Sequence, residues 1–281
     1  MPKFEQILGI RFFNGTASEA VEHVNQIRGY AVAPAAPALA NIQRDAGYLR
    51  ALSKADVAIA DSGFMVLLWR LLRGRKLRRI SGLRYLQTLL DNSALRESGR
   101  TFLILPSAEA REKAVCWLCS QGFDISERDC YIAPIYPVGQ AFLPVEPINA
   151  GKRERLPYIS DPASQASSPG IEDPKLVSIL ESHKPKHIIV GIGGGIQEKL
   201  GFYLREHLSY RPAIHCVGAA IGFLTGDQKP IPAWADRLYL GWLLRLVRQP
   251  TLYAKRFSRA FGLPRMIWRY GEEMPPLKIT K

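Results

Sequence analysis

The chain is poor in cysteine. Its 281 residues hold only Cys116, Cys119, Cys130 and Cys216, too few for a disulfide framework at this length, so a reducing, cytosolic setting is expected. Cys116 and Cys119 form a CxxC inside a helix-period segment, with no second close pair to complete a metal site, and core packing is the expectation for them. Uninterrupted apolar runs stop well short of the roughly 18 residues of a spanning helix, which restricts any membrane contact to the periphery. No DxD triplet occurs, so the usual carboxylate pair for a divalent cation on a nucleotide diphosphate is missing. Developing charge would then fall to arginines and backbone N–H groups, and no cofactor or metal is expected. GxSxG is absent as well, which removes a nucleophile elbow but leaves other Ser/His/Asp arrangements open. The five histidines have no metal spacing and receive no role.

Acidic residues are absent from two stretches. Arg237–Tyr270 carries eight Lys/Arg without a carboxylate, and Arg70–Arg84 carries seven. The net charge is +13, which suits partners bearing phosphate. In the tail, Trp242, Tyr253, Phe257, Phe261, Trp268 and Tyr270 are interleaved with the cations. An anionic leaflet contributes on the order of 1 kcal/mol per nearby Lys/Arg, enough to hold a peripheral protein reversibly. Nucleic acid would use similar ingredients, but no RNP or helix-turn-helix pattern is present, so it is not expected as a partner.

What is present is an alternation of short apolar runs with helix-period segments, the pattern of an α/β fold with a Rossmann-like, mostly parallel sheet flanked by helices. Strands are expected at 7–13, 30–33, 57–60, 101–105, 130–133, 187–191 and 213–217. Helices are expected at 18–28, 39–53, 63–73, 83–95, 108–121, 174–182 and 197–208. Residues 134–172, rich in proline and serine, read as a loop or poorly ordered excursion. The boundary falls near 226: residues 1–226 are the α/β body and 227–281 a basic helical C-terminal appendage, with helices over 233–247 and on to about 261.

Two places carry chemistry. Asp61 ends the run VAIA at the carboxyl edge of a strand, where open α/β sheets bind ligands. It can serve as a general base or simply cap the next helix. The turn Gly191–Gly195 joins a buried strand to a helix opening with Gln197 and Glu198. Backbone N–H groups at Gly191 and Gly193, with the helix dipole, make it a site for a diphosphate. The alternative is a tight turn with no ligand, in which Gln197 and Glu198 supply ordinary first-turn electrostatics. Ile196 stands where GxGxxG needs glycine, and His215-Cys216 ends the next strand where a ribose-binding acid would be, which argues against a nicotinamide cofactor. That strand runs on to Gly218, assigned to the same pocket.

These segments are similar to those of the WecG/TagA/CpsF family of bacterial glycosyltransferases. The resemblance rests on Ala60-Asp61-Ser62-Gly63, Arg79-Ile80-Ser81-Gly82, Gly191-Ile192-Gly193 through Gln197-Glu198, Gly218 through Gly226, Ile231-Pro232-Ala233-Trp234, and Trp242-Leu243-Leu244-Arg245-Leu246 with Pro250. It implies inverting, metal-independent transfer of a hexosyl or N-acetylhexosaminyl group. The donor would be a nucleotide sugar, commonly UDP-linked. The acceptor would be an undecaprenyl-diphosphate-linked glycan, in surface (exo)polysaccharide biosynthesis on the inner face of the bacterial plasma membrane. Asp61 becomes the candidate base and Gln197 a pocket residue. Arg245, Lys255 and Arg256 become tail cations that meet diphosphate and the anionic membrane surface. The oligomeric state stays open between a single copy and a homo-oligomer.

The chain departs from the family pattern at Ala33-Pro34-Ala35 (for Thr-Pro-Asn), Gly222 (for Asp), Leu105-Pro106 (for Gly-Gly), Arg84 (for Asp) and Thr251-Leu252 (for basic residues). Several losses fall on the presumed donor side, so either the donor differs or the pocket is degenerate. A non-enzymatic scaffold of a polysaccharide synthesis complex is the alternative reading.

Overall fold

The computed structural model describes residues 2–136, 171–228, 232, 235, 239, 241–248 and 260–278, without the side chains of 245, 246 and 248. Eight strands follow in chain order: β1 (Phe4–Ile7), β2 (Ile10–Phe13), β3 (Tyr30–Val32), β4 (Val57–Ala58), β5 (Thr101–Leu105), β6 (Cys130–Ile132), β7 (His187–Val190) and β8 (Ala213–Cys216). They form one sheet in the order β1-β2-β4-β3-β8-β7-β5-β6. Every neighbouring pair is parallel except the β1–β2 hairpin. The helices are α1 (Ala17–Ile27), α2 (Ala36–Leu39), α3 (Ala46–Ser53), α4 (Gly63–Arg73), α5 (Gly82–Leu90), α6 (Ala108–Ser120), α7 (Pro174–His183), α8 (Ile196–His207) and α9 (Ala220–Leu224). Two more, α10 (Gly241–Arg248) and α11 (Gly262–Tyr270), follow in the C-terminal region. The expected α/β class, Rossmann-like with a mostly parallel sheet, is the observed one.

The helices cover both faces because the strands are apolar on both sides, as parallel strands must be. Along β3, Tyr30 and Val32 join one core with Leu52 of α3, Trp69 of α4, Leu180 of α7 and Leu200 of α8. Ala31 and Ala33 join the other, with Val24 of α1, Leu86 of α5, Leu118 of α6 and Ile221 of α9. Chains leaving the adjacent strands β3 and β8 therefore diverge, the first to α2 and α3 on one face, the second to α9 on the other. Such a divergence is where doubly wound sheets open a crevice at their carboxyl edge.

Three local expectations are corrected. Residues 7–13 are not one strand but the two arms of a hairpin turning at Leu8 (φ 53°) and Gly9 (φ 77°). A leucine rarely adopts positive φ. Here its N–H donates to the Gly271 carbonyl (2.8 Å) and that of Gly9 to Glu272 (2.9 Å), so the turn is held from the far end of the chain. The helix expected over 39–53 is broken by Asp45, whose carboxylate accepts the Tyr48 N–H at 2.9 Å and starts α3 afresh. Cys116 and Cys119 are exposed rather than packed in the core, because α6 turns Ala114 and Leu118 inward instead.

Most of the proline-rich segment, 137–170, and the tail from 249 to 259 lie outside the described residues. Beyond them, Ala260, Leu263, Met266 and Ile267 enter the same core as Ile7, Leu39 and Trp69. Residues 260–278 thus pack against the α/β body through α2 and α4, and the Lys278 N–H reaches the Gln43 carbonyl at 2.8 Å.

Candidate active site at the carboxyl edge of the sheet

Asp61 follows β4 by three residues and is half-buried. It does not cap α4. Ser62 does, accepting the Met65 N–H at 3.3 Å. The Asp61 Oδ1 atom instead accepts the N–H of Gly82, the first residue of α5, at 2.9 Å. Oδ2 has no hydrogen-bond partner among the described residues. The Arg79 Nε–H donates to the Asp61 carbonyl (2.9 Å), and the Ile80 N–H to that of Ala60 (3.2 Å). One carboxylate oxygen is therefore fixed and the other available, as a general base requires.

The corner between β7 and α8 is built on glycine for two reasons. At Gly193 and Gly194 no described residue lies within 4 Å of the position a Cβ would take. Their N–H groups and that of Ile192 have no backbone partner among the described residues, while Gly193 O accepts from Ile196 and Gln197. An anion can thus approach backbone donors at a helix N-terminus. Gly201, one turn further, has the opposite role: a Cβ there would lie 2.6 Å from Cys216 Sγ and 2.7 Å from a Tyr30 ring carbon. Only glycine lets α8 lie this close to β8 and β3.

Gln197 and Glu198 are both buried. The Gln197 Oε1 atom accepts the Gly218 N–H (2.5 Å), and its Nε2 donates to Glu198 Oε1 (3.0 Å). Glu198 Oε2 accepts the Gly195 N–H (2.6 Å). Glu198 is therefore turned inward, holding the glycine corner with one oxygen and the Gln197 amide with the other. The amide in turn fixes Gly218, whose φ of +61° suits glycine.

The two halves meet at one peptide. A Cβ on Gly82, the residue bonded to Asp61, would lie 3.3 Å from the Val217 carbonyl oxygen. The next residue, Gly218, is the one Gln197 holds. Asp61 and Gln197 thus flank the Val217–Gly218 turn from either side of the crevice between β4 and β7.

Burial pushes the Glu198 carboxyl up to about 7, against the opposing pull of its hydrogen bonds from Gln197 and Gly195. A carboxyl raised in the folded state lends stability that is complete below the unfolded value near 4.5 and lost as pH rises through 7. The shift corresponds to about 3 kcal/mol. Glu198→Gln, which cannot ionise, is expected to remove this slope in denaturant midpoints measured between about pH 5 and pH 8. It carries a pH-independent cost of about 1–3 kcal/mol, since one amide N–H must face another donor. A slope that survives the substitution would place the titration elsewhere.

Of the tail cations, Arg245 lies on α10, whereas Lys255 and Arg256 fall outside the described residues. Arg79 was given no role from sequence, although its position beside Gly82 in the quoted segment was the available signal. Its guanidinium carbon lies 5.9 Å from the Tyr239 ring centroid. A Cβ on Gly222 would lie 3.4 Å from Gln228 and 3.7 Å from Asp227. Asp227 is paired with Lys113 at 2.5 Å. The same edge continues past β2 into two hollows of about 490 and 390 Å³ that share Lys3, Asn14 and Arg78.

No curated protein matches the sequence of this chain. A family model, described as the glycosyl transferase WecG/TagA/CpsF family, matches residues 5–130 and 157–278. That match covers most of the chain, including Asp61, the Gly191–Glu198 corner and Gly218. The chain belongs to the WecG/TagA/CpsF family of glycosyltransferases.

Proposed function

We propose that the protein transfers a sugar, with inversion and without a metal ion, from a nucleotide donor of the UDP type to a hydroxyl of a polyprenyl-diphosphate-linked glycan. The reaction would take place at the inner leaflet during surface polysaccharide synthesis. The observation that carries this reading is the placement of Asp61 and Gln197 on either side of the Val217–Gly218 turn, beside backbone N–H groups at Gly193 and Gly194 that have no backbone partner among the described residues. Asp61 Oδ2 takes the proton of the acceptor hydroxyl as its oxygen attacks the anomeric carbon. The bond from that carbon to the donor diphosphate breaks, and the nucleoside diphosphate leaves with the electron pair. The N–H groups of Ile192, Gly193 and Gly194 meet the charge of the donor diphosphate; that of Gly191, expected from sequence to do so, is given instead to the Ile104 carbonyl at 2.8 Å. Arg79 orients Asp61 through its carbonyl, and Arg245, Lys255 and Arg256 supply cations from the tail. No helix among the described residues is long and apolar enough to cross a membrane, so membrane contact in this reading is made by the basic, aromatic tail.

The alternative of a catalytically degenerate scaffold is favoured by one group of residues, Ala33 and Ala35 after β3 and Gly222 on α9. On the resemblance, side chains able to bind a donor would stand at these positions, and here they are Ala, Ala and Gly. A donor screen separates the two readings. Nucleotide sugars are supplied with membrane extract as acceptor source, and the lipid-linked product is followed by its mass shift. One donor is expected to add one sugar. No product, together with no calorimetric heat from any donor, would establish the scaffold.

A further inference from the structure

The acid-free stretch from Arg70 to Arg84 has no part in the chemistry above, and the structure divides its seven cations. Arg73 donates to the carbonyls of Ile267 and Trp268, both at 2.9 Å. Arg75 pairs with Glu5 at 2.8 Å and with Glu272. Arg79 holds Asp61, and Arg84 stands exposed on α5. Arg70, Lys76 and Arg78 have no ion-pair partner among the described residues, and together with Lys3 they line the 390 Å³ hollow. No carboxylate among the described residues lines it.

The arrangement is built rather than incidental. The Asn14 side chain pins the segment from both sides, its Nδ2 donating to the Lys76 carbonyl and its Oδ1 accepting the Arg78 N–H, each at 2.9 Å. Lys76 and Arg78 then line the hollow on either side of the buried Leu77, which also lines it. Val66 and Leu67 of α4 complete an apolar wall. One turn along the same helix face, Leu71 is 80% exposed. Four cations beside an apolar wall that continues to an exposed leucine fit an amphiphile with a phosphoryl head. The volume lies within the range of small-molecule sites. Arg78 precedes the residue that holds Asp61, so the head would sit next to the base.

We propose that this hollow binds the diphosphate and first isoprene units of the lipid-linked acceptor. The assignment rests on the transfer reaction proposed above. It gives the acceptor a diphosphate site on the body, separate from the tail cations and from the glycine corner that faces the donor.

Farnesyl diphosphate is the probe, titrated calorimetrically into the full chain. R70Q/K76Q/R78Q is expected to bind it about 10³-fold more weakly, since each of the three cations contributes about tenfold, while UDP binding and the melting temperature are unchanged. R70K/R78K, which keeps the charge, is expected to retain most of the affinity. Inorganic diphosphate should bind the wild type more weakly than farnesyl diphosphate, because it leaves the apolar wall uncovered. Equal affinity of the wild type and the triple variant for farnesyl diphosphate overturns the proposal. So does a triple variant that loses only its binding to phosphatidylglycerol vesicles, which would make the hollow a leaflet contact. If no donor supports transfer yet farnesyl diphosphate binding depends on these cations, the transfer reading has failed and the anion site stands. If transfer proceeds equally in both proteins, the site alone has failed.

Discussion

Asp61→Asn is expected to lower the turnover of sugar transfer by about 10²–10⁴-fold, the usual contribution of one positioned general base. The substitution isolates chemistry from folding. Asparagine retains an oxygen that can accept the Gly82 N–H, so the contact that Oδ1 makes at 2.9 Å survives, and Ser62, not Asp61, caps α4. The melting temperature should therefore stay near that of the wild type, and donor affinity should change little, because the donor diphosphate is assigned to the glycine corner. The decisive measurement is a split between kcat, which falls, and the Kd for the donor, which does not. Turnover like that of the wild type would remove Asp61 from the mechanism. Asp61→Ala serves as contrast: it also leaves the Gly82 N–H unpaired and should cost about 1–3 kcal/mol of stability if that group is not rehydrated.

The largest effect on stability is expected at Lys199, next to Glu198 but facing another neighbour. Its Nζ lies 2.9 Å from Asp45 Oδ2, with Lys199 6% and Asp45 9% exposed. The same carboxylate starts α3 through the Tyr48 N–H. Lys199→Met keeps the length of the side chain but leaves a buried carboxylate without its counter-charge, which typically costs about 3–5 kcal/mol. Denaturant midpoints at neutral pH read this directly. Adding Asp45→Asn should recover much of the loss, since asparagine is an equally good N-cap and brings no charge to bury. A single substitution costing less than about 1 kcal/mol would mean that the pair is not desolvated as its burial indicates. Because α3 packs on α8, the weakened variant should also loosen the seat of Gln197.

Much of the fold was legible because its signals are local. The expected limits of α4 are the observed ones, since Ser62 caps its start and Gly74, in the left-handed conformation, ends it. The strand at 101–105 is likewise found as expected, five buried residues in a row. The hairpin was not legible, because Leu8 adopts an unfavourable φ only when carbonyls from Gly271 and Glu272 hold it. The cysteines of α6 were misread for a related reason. Their period fits a buried stripe, and only the neighbouring helices decide which stripe faces inward. Asp61 and the glycine corner do lie just beyond the ends of β4 and β7, as the apolar runs before them indicated. The inward turn of Glu198 was not legible, since its partners, Gly195 and Gln197, are the residues around which a ligand pocket was expected.

The sequence by itself determined the α/β alternation, the helix caps and the carboxyl-edge positions of Asp61 and Gly191–Glu198, because backbone periodicity and capping depend on residues a few places apart. Only the tertiary structure decided that β4 and β7 lie on either side of β3 and β8, so that Asp61 and Gln197 share the Val217–Gly218 turn. It also decided which cations of the 70–84 run are spent on Glu5, Glu272 and the end of α11, and which are left facing a hollow. A charge in a sequence has no partner until the chain has folded. Its electrostatic role depends on distance and burial, and both are set by residues remote along the chain.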